Sequence, residues 1–411
     1  MKKTFRLLIL FMAVLAMVSL AACSGDGAGE ENGGDVPTPD TGMTEIPEES
    51  TAGLAFSENS DGTYTLVGIG TCTEKTVVIN KYQGKEITGI NEYVFVTNQT
   101  IETLVVGPYV KSVPQNAFCE MSALKNIVIA EGVERIGNYA FSSNLIVESV
   151  IVAESVTEIG EYAFAGLNKM TKFNIPSAIV DIPAGFINGA ESLPELVLPA
   201  GTKTIGEAAF WNCYQVKSFE IPATVKTIGD RAFSDWRSLT SITIPSGVES
   251  IGKNIFYGCY SLTDVKFEGS TKIGDFAFYQ CTQLVNLDLG GVTEIGKSAF
   301  CYCIDLQTVI IPGSVQKIGE SAFSECEMLK SVDIREGVAE ISGKAFENCR
   351  ELRAVYIPIS VTKIMGYAFY NNPHITIYCA TDVEQKGWGD NWHGGINSSS
   401  VIWGSLGLPS E

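Results

Sequence analysis

The sequence is poor in histidine, in charge and in basic residues. Of 411 residues only two are His (His374 and His393), 18% are charged, and 28 Lys and Arg face 47 Asp and Glu, a formal net charge of −19. Two His leave little for imidazole catalysis or a His-based metal centre. The acidic balance argues against nucleic acid, whose phosphates call for basic side chains. H-E-x-x-H, a Walker loop, G-x-S-x-G and an EF-hand loop are all missing, and the carboxylates are scattered, so no acid–base pair stands out. No enzyme, cofactor or metal site is expected. What the chain does have is 45% hydrophobic residues and 41 Gly. So apolar a chain buries a large core and is not disordered.

The only long apolar run is at the start. Lys2, Lys3 and Arg6 precede an apolar stretch from Leu7 to Leu20, too short to span a bilayer easily, which takes about 20 residues. Residues 1–22 therefore read as a secretory signal peptide. Leu20-Ala21-Ala22-Cys23 resembles the bacterial lipobox. The resemblance implies that Cys23 is acylated and becomes the mature N-terminus, and two acyl chains hold a protein stably on a membrane. Residues 23–53 then form a tether. Residues 24–52 hold eight acids and no Lys or Arg, so the segment is solvated and self-repelling.

The rest is organised by a period of about 23 residues. A Phe recurs at Phe95, Phe118, Phe141, Phe164, Phe186, Phe210, Phe233, Phe256, Phe278, Phe300, Phe323, Phe346 and Phe369, with Ala before it in ten of the thirteen. Ile-Gly stands four residues earlier in most units, as in Ile228-Gly229 and Ile318-Gly319. Leu239-Thr-Ser-Ile242-Thr-Ile244-Pro245 shows the other half of the unit. The V-x-I stretch has the period of a strand with one buried face. Pro ends it, Gly permits a sharp turn, and A-F suits a short turn or 3₁₀-like piece that sends Phe inward. One such unit cannot bury its own apolar face, so the units must stack.

This pattern resembles the BspA-like class of bacterial leucine-rich repeats, over about residues 54–403. The resemblance implies a repeat solenoid of short parallel strands with little helix, capped at both ends. The expected parts are an N-terminal capping hairpin and partial repeat at 54–90, the solenoid at 91–378 and a Trp-rich C-terminal cap at 379–411. Ser60-Asp61-Gly62 supplies the hairpin turn. Trp388, Trp392 and Trp403 are read as a lid on the last coil, or as a platform on which sugars stack. The resemblance also implies a non-enzymatic cell-surface lipoprotein that adheres to an extracellular protein of host or bacterial origin, with a glycan partner as the alternative.

Cys213, Cys259, Cys281, Cys303, Cys326 and Cys349 each lie three residues after a repeat Phe, and Trp236 fills the same place after Phe233. Neighbouring strands are about 4.8 Å apart, too far for unstrained in-register disulfides. The expectation is a ladder of free thiols packed as small hydrophobes, with Cys119 and Cys301 more exposed. Function is expected at outward strand positions, between the two core residues. Val105, Val128, Ile151, Asn174 and Val197 form the candidate binding face, with Glu220, Thr243, Lys266, Asp288, Ile310, Asp333 and Tyr356 continuing the row. A row of Val and Ile fits an exposed partner surface, or simply the strand preference of β-branched residues.

Overall fold

The computed structural model describes residues 45–395 and 400–408. The expected signal peptide, Cys23 and most of the expected tether lie outside the described residues. Repetition of the V-x-I and x-I-G stretches gives two parallel faces. On the first face strands such as Thr103–Val106, Asn126–Ile129 and Ser149–Val152 pair in register. On the second, two-residue strands such as Lys272–Ile273, Glu294–Ile295 and Lys317–Ile318 run in an unbroken series from Asp181–Ile182 to Lys363–Ile364. No α-helix occurs among the described residues. The chain folds as a parallel β-solenoid. Ala55–Glu58 pairs antiparallel with Tyr64–Gly68 at its N-terminal end, with the Ser60-Asp61-Gly62 turn between them.

A third hydrogen-bond ladder runs along the Phe corner. Asn116, Phe118 and Glu120 donate their N–H groups to the carbonyls of Asn138, Ala140 and Ser142 in the next turn, at 3.0, 2.8 and 3.0 Å. Alternate residues face the next turn because the residues two before and two after the anchor are left-handed, as at Asn116 (φ 54°) and Glu120 (φ 57°). The corner is therefore not 3₁₀. Such φ values cost non-Gly residues energy; the ladder of bonds offsets that cost.

The Ile-Gly glycines have a different reason from the one the sequence suggests. Gly252 and Gly296 are not left-handed. A Cβ on Gly252 would lie 2.6 Å from Asp230 N, and one on Gly296 2.6 Å from Gly274 C. At these two positions it is the close approach of the preceding turn, rather than a left-handed backbone, that disfavours a side chain, while Pro114, Pro183, Ser342 and Met365 stand at the equivalent place in other turns.

The anchor Phe rings stack through the core. Phe300–Phe323 and Phe323–Phe346 have centroids 5.1 and 5.4 Å apart. Phe186 is the exception, and the frame assigned from sequence is corrected there. Ile187 N–H donates to Ala209 C=O, and Phe164 N–H donates to Phe186 C=O. Ile187 thus holds the anchor position and Phe186 the Ala position. Phe186 consequently meets Phe164 and Phe210 edge-on, at interplanar angles of 84° and 81°. With Ile187 as anchor the period is 23 residues without drift from Phe95 to Phe256.

The first face is interrupted. No strand forms on it between Lys172–Phe173 and Ser241–Ile244. Here Phe173 and Phe219 replace the smaller first core residue, and Trp236 replaces a thiol. Phe219 lies 5.0 Å from Trp236 and 5.2 Å from Phe233. The interruption coincides with these larger rings, although Phe173 itself still pairs with Val150 of the preceding turn. At the upstream margin, Asn174 Nδ2 donates to Val152 C=O at 2.6 Å and its Oδ1 accepts from Val152 N–H at 2.9 Å. One side-chain amide closes the edge that the next strand would have closed.

Candidate functional site

The outward row on the first face is not one continuous exposed surface. Val105 (0% exposed) and Val128 (3%) are buried, with Val78 and the overlying Ile46. They are not available to a partner, which corrects the expectation for that half of the row. The segment covering them, counted from sequence as tether, packs on the first turns instead. Ile151 is half-buried. Asn174 is exposed, but both ends of its amide are spent on Val152. Val197 is 79% exposed and stands in the interrupted stretch.

Further along, the row is open and polar. Thr243, Lys266 and Asp288 stand in register, each exposed. Side chains alternate in a strand, so the residues two places earlier also face outward. These are Ser241, Asp264 and Asn286, likewise in register. The sequence reading stopped at the residue between the two core positions and missed them; the same period of two would have found them. The six line a shallow groove of about 490 Å³ with Val285 and Thr308 at its rim. Within it Asn286 Nδ2 donates to Asp264 Oδ1 at 2.6 Å, and Thr263 Oγ1 donates to Asp264 Oδ2 at 2.5 Å. Those two hydrogen bonds, Thr263 first, hold the Asp264 carboxyl below its ordinary pKa. Lys266 pairs with Glu268 at 3.3 Å. The groove thus offers hydroxyls, carboxylates, an amide and an ammonium, chemistry suited to a polar partner surface. Ile310 (55% exposed) continues the row, while Asp333 is turned to Arg335 at 2.9 Å and Tyr356 is half-buried.

The tryptophans close the last coil. Trp388 and Trp392 are 6% and 2% exposed and belong to the core, with Trp403 packed against it. Trp388 meets Trp392 edge-on at 4.8 Å, stacks on Trp403 at 5.9 Å, and donates Nε1–H to Val361 C=O at 3.1 Å. With these faces covered by protein, Trp388 and Trp392 are unavailable as a sugar platform.

The thiols form the expected ladder, with an added role. Each of the six donates Sγ–H to the anchor carbonyl of the preceding turn, from Cys349 to Phe323 at 3.2 Å up to Cys213 to Ile187 at 3.9 Å. Asn144 and Asn372 do the same with Nδ2, to Phe118 and Phe346. All ten described cysteines are free. Contrary to expectation, Cys119 and Cys301 are buried, at 5% and 6% exposure; burial pushes the Cys301 thiol up to about 12.

Parallel strands, a glycine-spaced stack and a buried Phe column define a leucine-rich repeat solenoid. The model of the BspA type leucine rich repeat region matches residues 88–217, 203–300 and 268–376 in six copies. The chain belongs to this family. A leucine-rich repeat protein from Bacteroides ovatus is similar in structure, with 25% identity and a TM-score of 0.65 over 79% of this chain and 92% of the other. The pneumococcal vaccine antigen PcpA shares the fold, with 14% identity and a TM-score of 0.51 over 86% of this chain and 99% of that one. Comparison with functionally curated proteins gives no match.

Proposed function

We propose that this protein is a non-enzymatic, lipid-anchored protein of the bacterial cell surface that binds an extracellular protein through the first face of its solenoid. The signal peptide, Cys23 and the acidic segment after it support export and anchoring. Leucine-rich repeat solenoids present extended binding faces. The observation that carries the reading is the register of Thr243, Lys266 and Asp288 beside Ser241, Asp264 and Asn286. Six polar side chains in two aligned rows surround one groove, and core packing dictates none of them. The test is a soluble chain beginning at Ser24, applied to arrays of extracellular proteins and glycans. Saturable capture of a protein that weakens on Lys266→Glu supports the reading. Glycan capture, or binding indifferent to Lys266→Glu, defeats it.

A further inference from the structure

The second face is made of two sheets, and each begins at a proline. One runs from Ser112–Val113 to Glu158–Ile159, the other from Asp181–Ile182 to Lys363–Ile364. Pro114 and Pro183 directly follow their first strands. In other turns the residue at this place donates its N–H to the preceding turn. Gly160 bonds Ile136 C=O at 2.8 Å, Gly206 bonds Ile182 C=O at 2.9 Å and Ser342 bonds Ile318 C=O at 3.1 Å. Proline has no N–H to give.

At Pro183 the neighbouring bonds are missing as well. Thr157 N–H donates to Glu134 C=O at 2.9 Å and Lys203 N–H to Val180 C=O at 2.7 Å, but Val180 N–H turns to Ala178 C=O in its own turn at 3.0 Å. Among the described residues no backbone bond joins residues 157–160 to residues 180–183. One step later the fault changes sides. The second face pairs again from Asp181–Ile182 onward, while the first face, paired as far as Val150 with Phe173, has no further strand until Ser241–Ile244. The Phe stack turns at the same place. Phe141 and Phe164 lie at 3° to each other, Phe164–Phe186 and Phe186–Phe210 at 84° and 81°, and Phe210–Phe233 at 11°. Only the corner ladder crosses the whole stretch. Tyr162, Phe164 and Gly166 donate to Ala184, Phe186 and Asn188 C=O at 2.9, 3.2 and 2.6 Å, and Gly185, Ile187 and Gly189 to Glu207, Ala209 and Trp211 C=O at 2.8, 3.0 and 2.8 Å. The first face also breaks between Asn286–Asp288 and Thr308–Ile311, but there the second face and the Phe stack run through.

We propose that the turns around Pro183 are a joint between two stiffer arms of the solenoid, with the Phe corner as its pin. Two of the three ladders fail in neighbouring steps, first on one face and then on the other, so the arms turn in two directions while the corner holds them together. The groove of about 420 Å³ lined by Ile151, Phe173 and Asn174 lies at this joint. Turning there alters the angle between the upstream end of the first face and its polar rows. The use of that motion rests on the partner surface proposed above; the joint itself does not.

The test is the spread of spin-label distances in the full chain, with Cys23 and Cys72 changed to Ser so that the remaining thiols are buried ones. Arg135→Cys with Ser250→Cys spans the joint. Ser250→Cys with Lys363→Cys spans the same five steps, about 24 Å, within the downstream arm, and all three positions are exposed. The expected result is a distribution at least twice as wide for the first pair. Pro183→Ser, which restores an N–H opposite Ile159 C=O without adding a Cβ, is expected to narrow it toward the second. Equal widths in the parent chain overturn the proposal, whatever Pro183→Ser does. A wide first pair left unchanged by Pro183→Ser in a folded chain overturns it too, because the missing second-face bonds would then not be what frees the arms. No partner enters the measurement, so its failure is distinct from failure of the partner surface.

Discussion

Trp236 donates its indole N–H to the carbonyl of Phe210 at 2.7 Å, the bond that a cysteine thiol makes to the preceding anchor in six other turns. In these turns the position three residues after the anchor is a donor position, shared by Cys, Trp and Asn because each carries a hydrogen for one buried carbonyl, whereas Met121, Leu167 and Ala190 fill it without a donor. Donor strength then ranks the substitutions. Asn144 serves Phe118 C=O at 2.9 Å and Phe141 C=O at 2.7 Å, and accepts from Met121 N–H at 2.7 Å. Asn144→Ala strands three buried groups and is expected to cost about 3 kcal/mol or more. Cys349→Ala loses one weak S–H donor and a small cavity's worth of contact, about 1 kcal/mol. Urea unfolding midpoints of the two variants measure the contrast.

The frame at Ile187 is open to a double-mutant cycle. Ile187→Phe alone overfills a site already flanked by Phe186, and is expected to cost about 2 kcal/mol. With Phe186→Ala the turn regains Ala-Phe, and the pair is expected to be at least about 1 kcal/mol more stable than the summed single effects. Additive effects would return the anchor role to Phe186.

Glycine at the x-I-G position is tested by Gly252→Ala. A Cβ 2.6 Å from Asp230 N has nowhere to go, and a loss of about 2 kcal/mol is expected. Gly84→Ala is the comparison. Its Cβ would meet nothing within 4 Å, but φ is +74°, so backbone strain alone costs about 1 kcal/mol. Thermal unfolding of both variants separates crowding from strain.

Acid should loosen the N-terminal turns. Side-chain hydrogen bonds from Lys75 and then Lys125, at 2.5 and 2.9 Å, hold Glu102 at about 2. A carboxylate depressed in the folded state stabilises it above the ordinary Glu pKa near 4.3, and the contribution is lost as pH falls toward 2. Between pH 4.5 and 2 the stability of Glu102→Gln is expected to fall less steeply than that of wild type. The difference is small, because these groups are exposed and screened.

Hydrogen exchange reads the interruption of the first face. Amides of Val197 and Glu220 lie where no strand forms, whereas Ile205 and Ile228 of the same turns pair on the second face. The first pair is expected to exchange at least tenfold faster.

Much of this was legible in sequence, for a physical reason. A repeat writes each packing constraint many times over, so Phe, Ile-Gly and the thiol ladder stand out against variable positions. What escaped depends on single contacts outside the repeat. Ile46 buries Val105 and Val128 from a segment whose composition reads as tether. Asn174 looks like any polar strand residue until its amide is seen closed on Val152. Phe186 misleads because a Phe beside the anchor position is as apolar as a Phe within it. The polar groove was half found: Thr243, Lys266 and Asp288 were on the row, while Asp264 and Asn286 needed only the next step of the same alternation.

The central claim is that the polar rows of the first face bind a protein partner while the rest of each turn serves stacking. The most direct measurement is the affinity of the captured partner for wild type and for the double charge reversal Lys266→Glu with Asp288→Lys, each checked for an unchanged unfolding midpoint. The expected result is an intact fold and at least a tenfold loss of affinity. Unchanged affinity in a folded variant would contradict the claim.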